Sequence, residues 1–483
     1  MSEARSNTEI EDKFDVPPDY EVPDLSGLAE VVGPKTHQLV ALYYDTADFR
    51  LAARGITLRR RRGGADPGWH LKLPLGKGAR QEITHPLTRS TKVVPAELEE
   101  LVRAYTRGAP LEMVAELDTK RSVTVLLSEG RRLIEIADDQ VKGTVVGADP
   151  ERWREVEAEI IDGDRALLAK VGKKLRKAGA SRSEAASKLG RLLARPPRPR
   201  AELKSGTAGR AVLDYLESQV NALLAQDPRV RRAEEDAVHQ MRVASRRMRS
   251  ALKAFKTIVG ESEQLQEELK WIAGVLGEAR DLEVIRARFA GHLRDLDPEL
   301  VSGPIQTRLG DDLHKREQEA YDRINETLSG ERYYALLDAL DQLIAAPTFG
   351  KAAYKPAEPT LNGVAAKGWD RVTKAYEGGD LHEVRKSAKR ARYTAEALRS
   401  TLGKPMYELA KHAEAVQEVL GHHQDGVVAQ ETLVSEAESA RQAGEDTFTY
   451  GVLIGIERGT AARAHEEFPG VWAKTVKAVG KLL

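Results

Sequence analysis

The strongest constraint on this chain is a change of hydrophobic period across one short segment, ARPPRPRAELK at 194–204. Three prolines among arginines have no place inside a helix or a central strand. Before this segment, apolar and charged residues alternate in short runs: TLRRRR, WHLKL, SVTVLL, RLIEIA and EVEAEI. A period of two means strands with two chemically different faces. After it, the runs are long, rich in Ala, Leu, Arg and Glu, and follow helical spacing, as in GRAVLDYLESQVNALLAQ and QLQEELKWIAGVLGEARDLEVIRARF. At 483 residues the chain is also too long for one ordinary core. The expectation is a multidomain α+β protein. An antiparallel β domain occupies 1–195, a Pro/Arg linker 196–204, and an all-α domain 205–483. FGKAAYKPAEPT at 349–360 interrupts the helical texture and divides the second domain at about 205–348 and 360–483.

The chain has no cysteine, which removes disulfides and thiolate metal sites. MSEARSNTEIEDKF lacks the apolar core of a signal peptide. No run approaches the roughly 18 apolar residues of a membrane span. A cytoplasmic location is therefore expected. With 75 basic and 75 acidic residues the net charge is zero, so any anion binding must come from local segregation of charge.

One segment shows such segregation. VHQMRVASRRMRSALKAF at 238–255 contains no Asp or Glu. His239, Arg242, Arg246, Arg249 and Lys253 recur at steps of 3, 4, 3 and 4, a single stripe along a helix. Met241, Ala244, Met248, Leu252 and Phe255 form a second stripe, about 200° away at 3.6 residues per turn. A solvated helix face would account for one such stripe, although like charges at these spacings repel. The pattern returns, however, in HEVRKSAKRARYTAEAL: His382, Arg385, Lys389 and Arg392 repeat the offsets of His239, Arg242, Arg246 and Arg249. LGEARD lies 37 residues beyond the first histidine and LGHHQD 38 beyond the second. An internal duplication of helical bundles follows, with two basic helices able to face one groove and grip a linear polyanion.

This half resembles the CHAD family (conserved histidine α-helical domain), on the H-x-x-R-x-x-x-[RK]-x-x-R pattern of both repeats. The resemblance implies two four-helix bundles that bind inorganic polyphosphate in a basic channel. It makes His239, Arg242, Arg246, Arg249, His382, Arg385, Lys386, Lys389, Arg392 and Tyr393 the candidate ligands. Position 396 is Glu where the first repeat has Lys253.

In the first half, EIEDKF puts Glu9, Glu11 and Lys13 on one strand face. An edge strand would tolerate this, but two adjacent carboxylates also suit an oxygen-liking cation. Other strands repeat the theme: Arg59 with Arg61, Lys72, Arg80 with Glu82, Arg121, Glu135 with Asp139, and Glu155, Glu157 and Glu159. An ordinary sandwich would turn these charges to water. A closed barrel would turn them inward, forming a polar tunnel beneath outer helices.

These segments resemble the CYTH superfamily, the triphosphate tunnel metalloenzymes, in E-x-E-x-K, YYDT at 43–46, GITLRRR at 55–61, HLKLP at 70–74, EVEAEI at 155–160 and SEAASKLGRLL at 183–193. Members of that superfamily include inorganic triphosphatases, thiamine triphosphatases and adenylyl cyclases. The resemblance implies phosphate binding by Lys13, Arg59, Arg61, Lys72, Arg80, Arg121 and Lys188. It implies a Mg²⁺ or Mn²⁺ site among Glu9, Glu11, Asp139, Glu157 and Glu159, with Glu9, Glu11 and Lys13 at the catalytic centre. Thr84 departs from the pattern, since a second acidic residue is frequent there.

The expected function is polyphosphate binding with metal-dependent hydrolysis of a short-chain triphosphate. The alternative is a non-enzymatic module associated with polyphosphate granules. Nucleic acid is not an expected partner, because only Tyr393 interleaves the basic stripes. No membrane partner is expected, and the oligomeric state is left open.

Overall fold

The structure, a computed structural model, describes residues 5–76, 78–193 and 198–482, so positions 196–197 of the expected linker lie outside the described residues. The chain divides into two compact units, Met1–Arg198 and Pro199–Leu483.

The first unit contains β1 (Arg5–Asp15), β2 (Glu30–Asp45), β3 (Thr57–Arg62), β4 (Gly68–Gly76), β5 (Ala79–His85), α1 (Ala96–Thr106), β6 (Glu112–Ser128), β7 (Arg131–Val145), β8 (Glu151–Ile160), α2 (Arg165–Lys177), β9 (Ser181–Arg182) and α3 (Lys188–Leu192). Strand order is β5-β4-β3-β2-β6-β7-β8-β1, and β1 pairs back onto β5, so eight antiparallel strands close a barrel. Closure leaves no free edges in the ring. Strand alternation then sorts the side chains. Lys13 points into the barrel, and its neighbour Phe14 is buried outside with Val156, Leu168, Val171 and Leu175 under α2. On β4, Trp69 and Leu71 are fully buried, while Lys72 lines the interior. Asp164 caps α2 by accepting from Leu167 N at 2.7 Å, and Ser187 caps α3 through Gly190 N at 2.9 Å. The barrel with outer helices is the expected architecture.

The second unit is helical: α4 (Ala208–Arg231), α5 (Ala237–Ala254), α6 (Lys256–Val259), α7 (Glu263–Asp295), α8 (Leu313–Leu328), α9 (Glu331–Ala345), α10 (Ala357–Glu377), α11 (Leu381–Leu402), α12 (Lys404–Gln442) and α13 (Phe448–Val479). Helices α4, α5, α7 and α8 pack in succession, and so do α10, α11, α12 and α13. Between the two sets, α5 packs on α11 and α4 on α10. The backbone marks the same relation. Ala208 N donates to Lys355 O at 2.9 Å, and Ala357 N donates to Gly206 O at 2.9 Å, a reciprocal clasp at the starts of α4 and α10. Both basic segments are therefore central helices of their sets, where the α5–α11 contact brings them side by side.

Among the described residues, no helix is long and apolar enough to cross a membrane.

Candidate tunnel and basic groove

The barrel encloses a cavity of about 540 Å³. Glu9, Glu11, Lys13, Arg59, Arg61, Lys72, Arg80, Arg121, Glu157, Glu159 and Lys188 all line it. They come from β1, β3, β4, β5, β6, β8 and α3, so barrel closure is what assembles them.

Most of the cations inside are held by carboxylates. Lys13 pairs with Glu11 at 3.0 Å and also with Glu157. Lys72 Nζ lies 2.5 and 2.6 Å from the two oxygens of Glu9, and 3.6 Å from Glu82. Arg121 makes a two-pronged contact with Asp139 at 2.8 and 2.6 Å and reaches Glu157 at 2.7 Å. Lys188 Nζ stands among Asp139, Glu155 and Glu157 at 2.9, 2.7 and 2.7 Å. Burial opposes the charge of Glu157, but Lys13, Lys188 and Arg121 outweigh it and hold the carboxyl well below its usual range. Burial likewise opposes Glu11, and Lys13 outweighs it.

Among the described residues, three of the named cavity groups lack this compensation, one of them Arg80, which donates to the Ala186 carbonyl. Among the described residues Arg59 meets only the Tyr43 hydroxyl, at 3.4 Å, and its Nε is buried without a hydrogen-bond partner. Glu159 is the cross-strand partner of Glu11. It has no cation partner among the described residues, and burial together with the charge of Glu9 pushes its carboxyl up to about 8. The carboxylates of β1 and β8 are thus short of positive charge beside Glu159. A divalent cation would satisfy that deficit, with Glu9, Glu11 and Glu159 as its holders.

Asp139, expected as a metal ligand, is not among the residues that line the cavity. It is fully buried beneath the cavity wall, with its oxygens engaged by Arg121 and Lys188. Asp139, Glu155 and Glu157 are close enough together to hold a metal. In this structure the Lys188 ammonium pairs with all three. Glu155 was named among the inward charges without a site role, whereas Tyr43 and His70, whose Nδ1 lies 2.9 Å from Glu82, were not named as site residues. Their inward parity with the named charges is the signal that could have found them.

The Glu159 shift gives a pH prediction. A carboxyl with a folded value near 8 and an ordinary unfolded value near 4.5 binds more protons folded than unfolded. Stability of the metal-free protein should therefore fall as pH rises from about 4.5 to 8, by at most roughly 1.4 kcal/mol per pH unit. Thermal unfolding across this range should show the decline, and Glu159→Gln should flatten it.

In the second unit, α5 and α11 flank a groove of about 840 Å³. Arg246, Arg249 and Lys253 line it from α5, and Lys386, Lys389, Arg390 and Tyr393 from α11. Arg246 stacks over the Tyr393 ring, 6.0 Å from its centroid. Helix α10 adds Lys367 and Arg371, which the repeated motif did not identify. His239, Arg242, His382, Arg385 and Arg392 lie outside this lining. Arg242 packs against α7, where a Cβ on Gly277 would sit 3.3 Å from its Nη2, and it reaches Asp281 at 2.9 Å. Arg385 packs similarly over Gly421 of α12, its Nε buried and unpartnered. Each LG dipeptide thus lies against its motif's first arginine, closely at Gly277 and in ordinary contact at Gly421. His239 is held below its usual range by burial and by Arg280. Arg392 is committed to Glu396 and Glu414, each at 2.8 Å.

Comparison with known proteins fits both units. The CYTH domain model matches residues 7–193, and the CHAD domain model matches 214–434. The chain belongs to the family that joins a CYTH domain to a CHAD domain. Two relatives from Mycobacterium tuberculosis, the uncharacterized proteins MT2285 and Rv2226, are each 39% identical over 508 residues, covering 98% of this chain and 97% of their own. Among solved structures, PptA from Streptomyces chartreusis is similar over 55% of this chain and 99% of its own, with 20% identity and a TM-score of 0.46. The CHAD domain from the plant Ricinus communis is similar over 58% of this chain and 96% of its own, with 23% identity and a TM-score of 0.47.

Proposed function

We propose that the chain binds inorganic polyphosphate in its helical domain and hydrolyses a short-chain triphosphate in its barrel, with Mg²⁺ or Mn²⁺. The observation that carries this is a closed barrel whose interior is lined by charges of both signs. Folding alone would favour an apolar filling, since buried ion pairs rarely repay their desolvation. A substrate rich in anionic oxygens, together with a divalent cation, accounts for both signs at once.

In this scheme Arg59, Arg61, Lys13, Lys72, Arg80, Arg121 and Lys188 neutralise and align the phosphates. Glu9, Glu11 and Glu159 would hold the metal. When bound, it would supply further charge neutralisation and polarise the terminal phosphoryl group. The barrel wall limits water around the phosphoanhydride. Positioning and charge stabilisation, without a covalent intermediate on the protein, would supply most of the acceleration. The groove would retain long polyphosphate, as a tether to granules or as a substrate reservoir.

One observation favours the alternative of a binding module with an inactive barrel: Lys13, Arg121 and Lys188 are already neutralised by the chain's own carboxylates. Phosphate release from tripolyphosphate, thiamine triphosphate, ATP and long-chain polyphosphate, with Mg²⁺ and then Mn²⁺, separates the two. Turnover of at least one of these is expected. No turnover of any would leave the binding module. Long polyphosphate should also displace any bound single-stranded nucleic acid, because Tyr393 is the one aromatic among the groove-lining residues.

A further inference from the structure

The groove is asymmetric although its two walls are copies. Lys253 and Glu396 each stand 14 residues beyond their motif histidine. Lys253 lines the groove. Glu396 directs one oxygen to Arg392 at 2.8 Å and the other to Arg247 at 2.8 and 3.1 Å, and Glu414 closes on Arg392 from α12. The second repeat's last motif arginine is therefore neutralised from inside the protein. Its counterpart Arg249 has no ion pair among the described residues, and neither have Lys253, Arg371 and Arg390.

These four cations line the groove from three helices, α5, α10 and α11. Repulsion from neighbouring cations acts on two of them, Lys253 and Arg249. Arg390, burial, Arg371 and Arg249 hold Lys253 below its usual range. Burial, Arg246 and Arg390 do the same to Arg249, against Glu267. A cluster of like charges without ion-pair partners among the described residues is a place prepared for an external anion.

Given that the groove is the polyphosphate site, we propose that the polyanion is gripped chiefly by Arg249, Lys253, Arg371 and Arg390. On this proposal Glu396 ends the site by withdrawing Arg392 and Arg247 from it. Two of the main ligands, Arg371 and Arg390, then lie outside the repeated histidine–arginine motif, and the bound chain runs toward α10.

The test measures long-chain polyphosphate binding to the full chain by calorimetry at several salt concentrations. Arg371→Gln with Arg390→Gln should weaken binding about tenfold or more. The double variant should also reduce the slope of log K against log salt by roughly 1.5, as expected for two lost phosphate contacts. Glu396→Gln, which releases Arg247 and leaves Arg392 with Glu414 alone, should tighten binding several-fold. A double variant that binds like the wild type overturns the proposal, as does a folded Glu396→Gln chain whose binding is unchanged or weaker. Arg371 and Arg390 are exposed, so the double variant decides the matter even if Glu396→Gln fails to fold. Failure of the wild-type chain itself to bind polyphosphate would instead sink the assignment of the groove, and the proposal with it.

Discussion

Replacing Glu9 and Glu11 together by Gln should lower metal-dependent phosphate release from tripolyphosphate by at least about 100-fold, the scale on which a preorganised electrostatic contribution is lost. Long-chain polyphosphate binding should stay within about twofold. The substitution keeps shape and removes two charges from the carboxylate-rich side of the tunnel. Lys72 loses the partner it holds at 2.5 Å, and Lys13 loses one of its two. Neither is left without a counter-charge, since Glu82 lies 3.6 Å from Lys72 and Glu157 still pairs with Lys13, so the barrel should remain folded. A second readout follows from the same electrostatics. Glu9 and Glu11 both raise the Glu159 carboxyl, so the pH-dependent loss of stability described above should shrink in the double variant. Retained hydrolysis would remove the metal from these two residues. Loss of hydrolysis and polyphosphate binding together would contradict two separate sites.

What the sequence made legible, and what it did not, follows from the range of the forces involved. Strand parity is local. It placed Glu9, Glu11 and Lys13, Arg59 and Arg61, and Glu157 and Glu159 on inward faces, and closure of the ring put them in one cavity. The division between a β unit and a helical unit was equally local, since hydrophobic period changes over a few residues. Pairings across the fold were not legible. Nothing near Asp139 in sequence announces Lys188, which α3 delivers from almost fifty positions away to stand between Asp139, Glu155 and Glu157. Arg392 read as a groove ligand because its spacing matched Arg249. Glu396 hinted at a difference, but the second carboxylate, Glu414, comes from α12. Lys367 and Arg371 were missed for the opposite reason. They belong to α10, outside the repeat that drew attention, and only packing brings them to the groove.

Salt should separate the two sites by a still larger factor. Long-chain polyphosphate binding should weaken by about a thousandfold between roughly 50 and 200 mM salt, the loss expected when six or more phosphate contacts release condensed counter-ions. The groove has the required cations: Arg246, Arg249, Lys253, Lys367, Arg371, Lys389 and Arg390 line it without ion pairs among the described residues. Their counter-ions are therefore those of the solution. The tunnel differs in the origin of its counter-charge. Lys13, Lys72, Arg121 and Lys188 are balanced by carboxylates of the chain, so an entering triphosphate would displace protein groups rather than salt ions. These pairs are also buried, where screening is weaker. The apparent KM for tripolyphosphate should then change by less than about tenfold over the same salt range. Parallel measurement of polyphosphate affinity and tripolyphosphate KM at both salt concentrations tests this. Equal salt slopes would mean that both ligands use the same cations, and the groove would lose its assignment. A steep slope for the long polymer alone requires a second, unpaired set of cations, and among the described residues the α5–α11 groove supplies one.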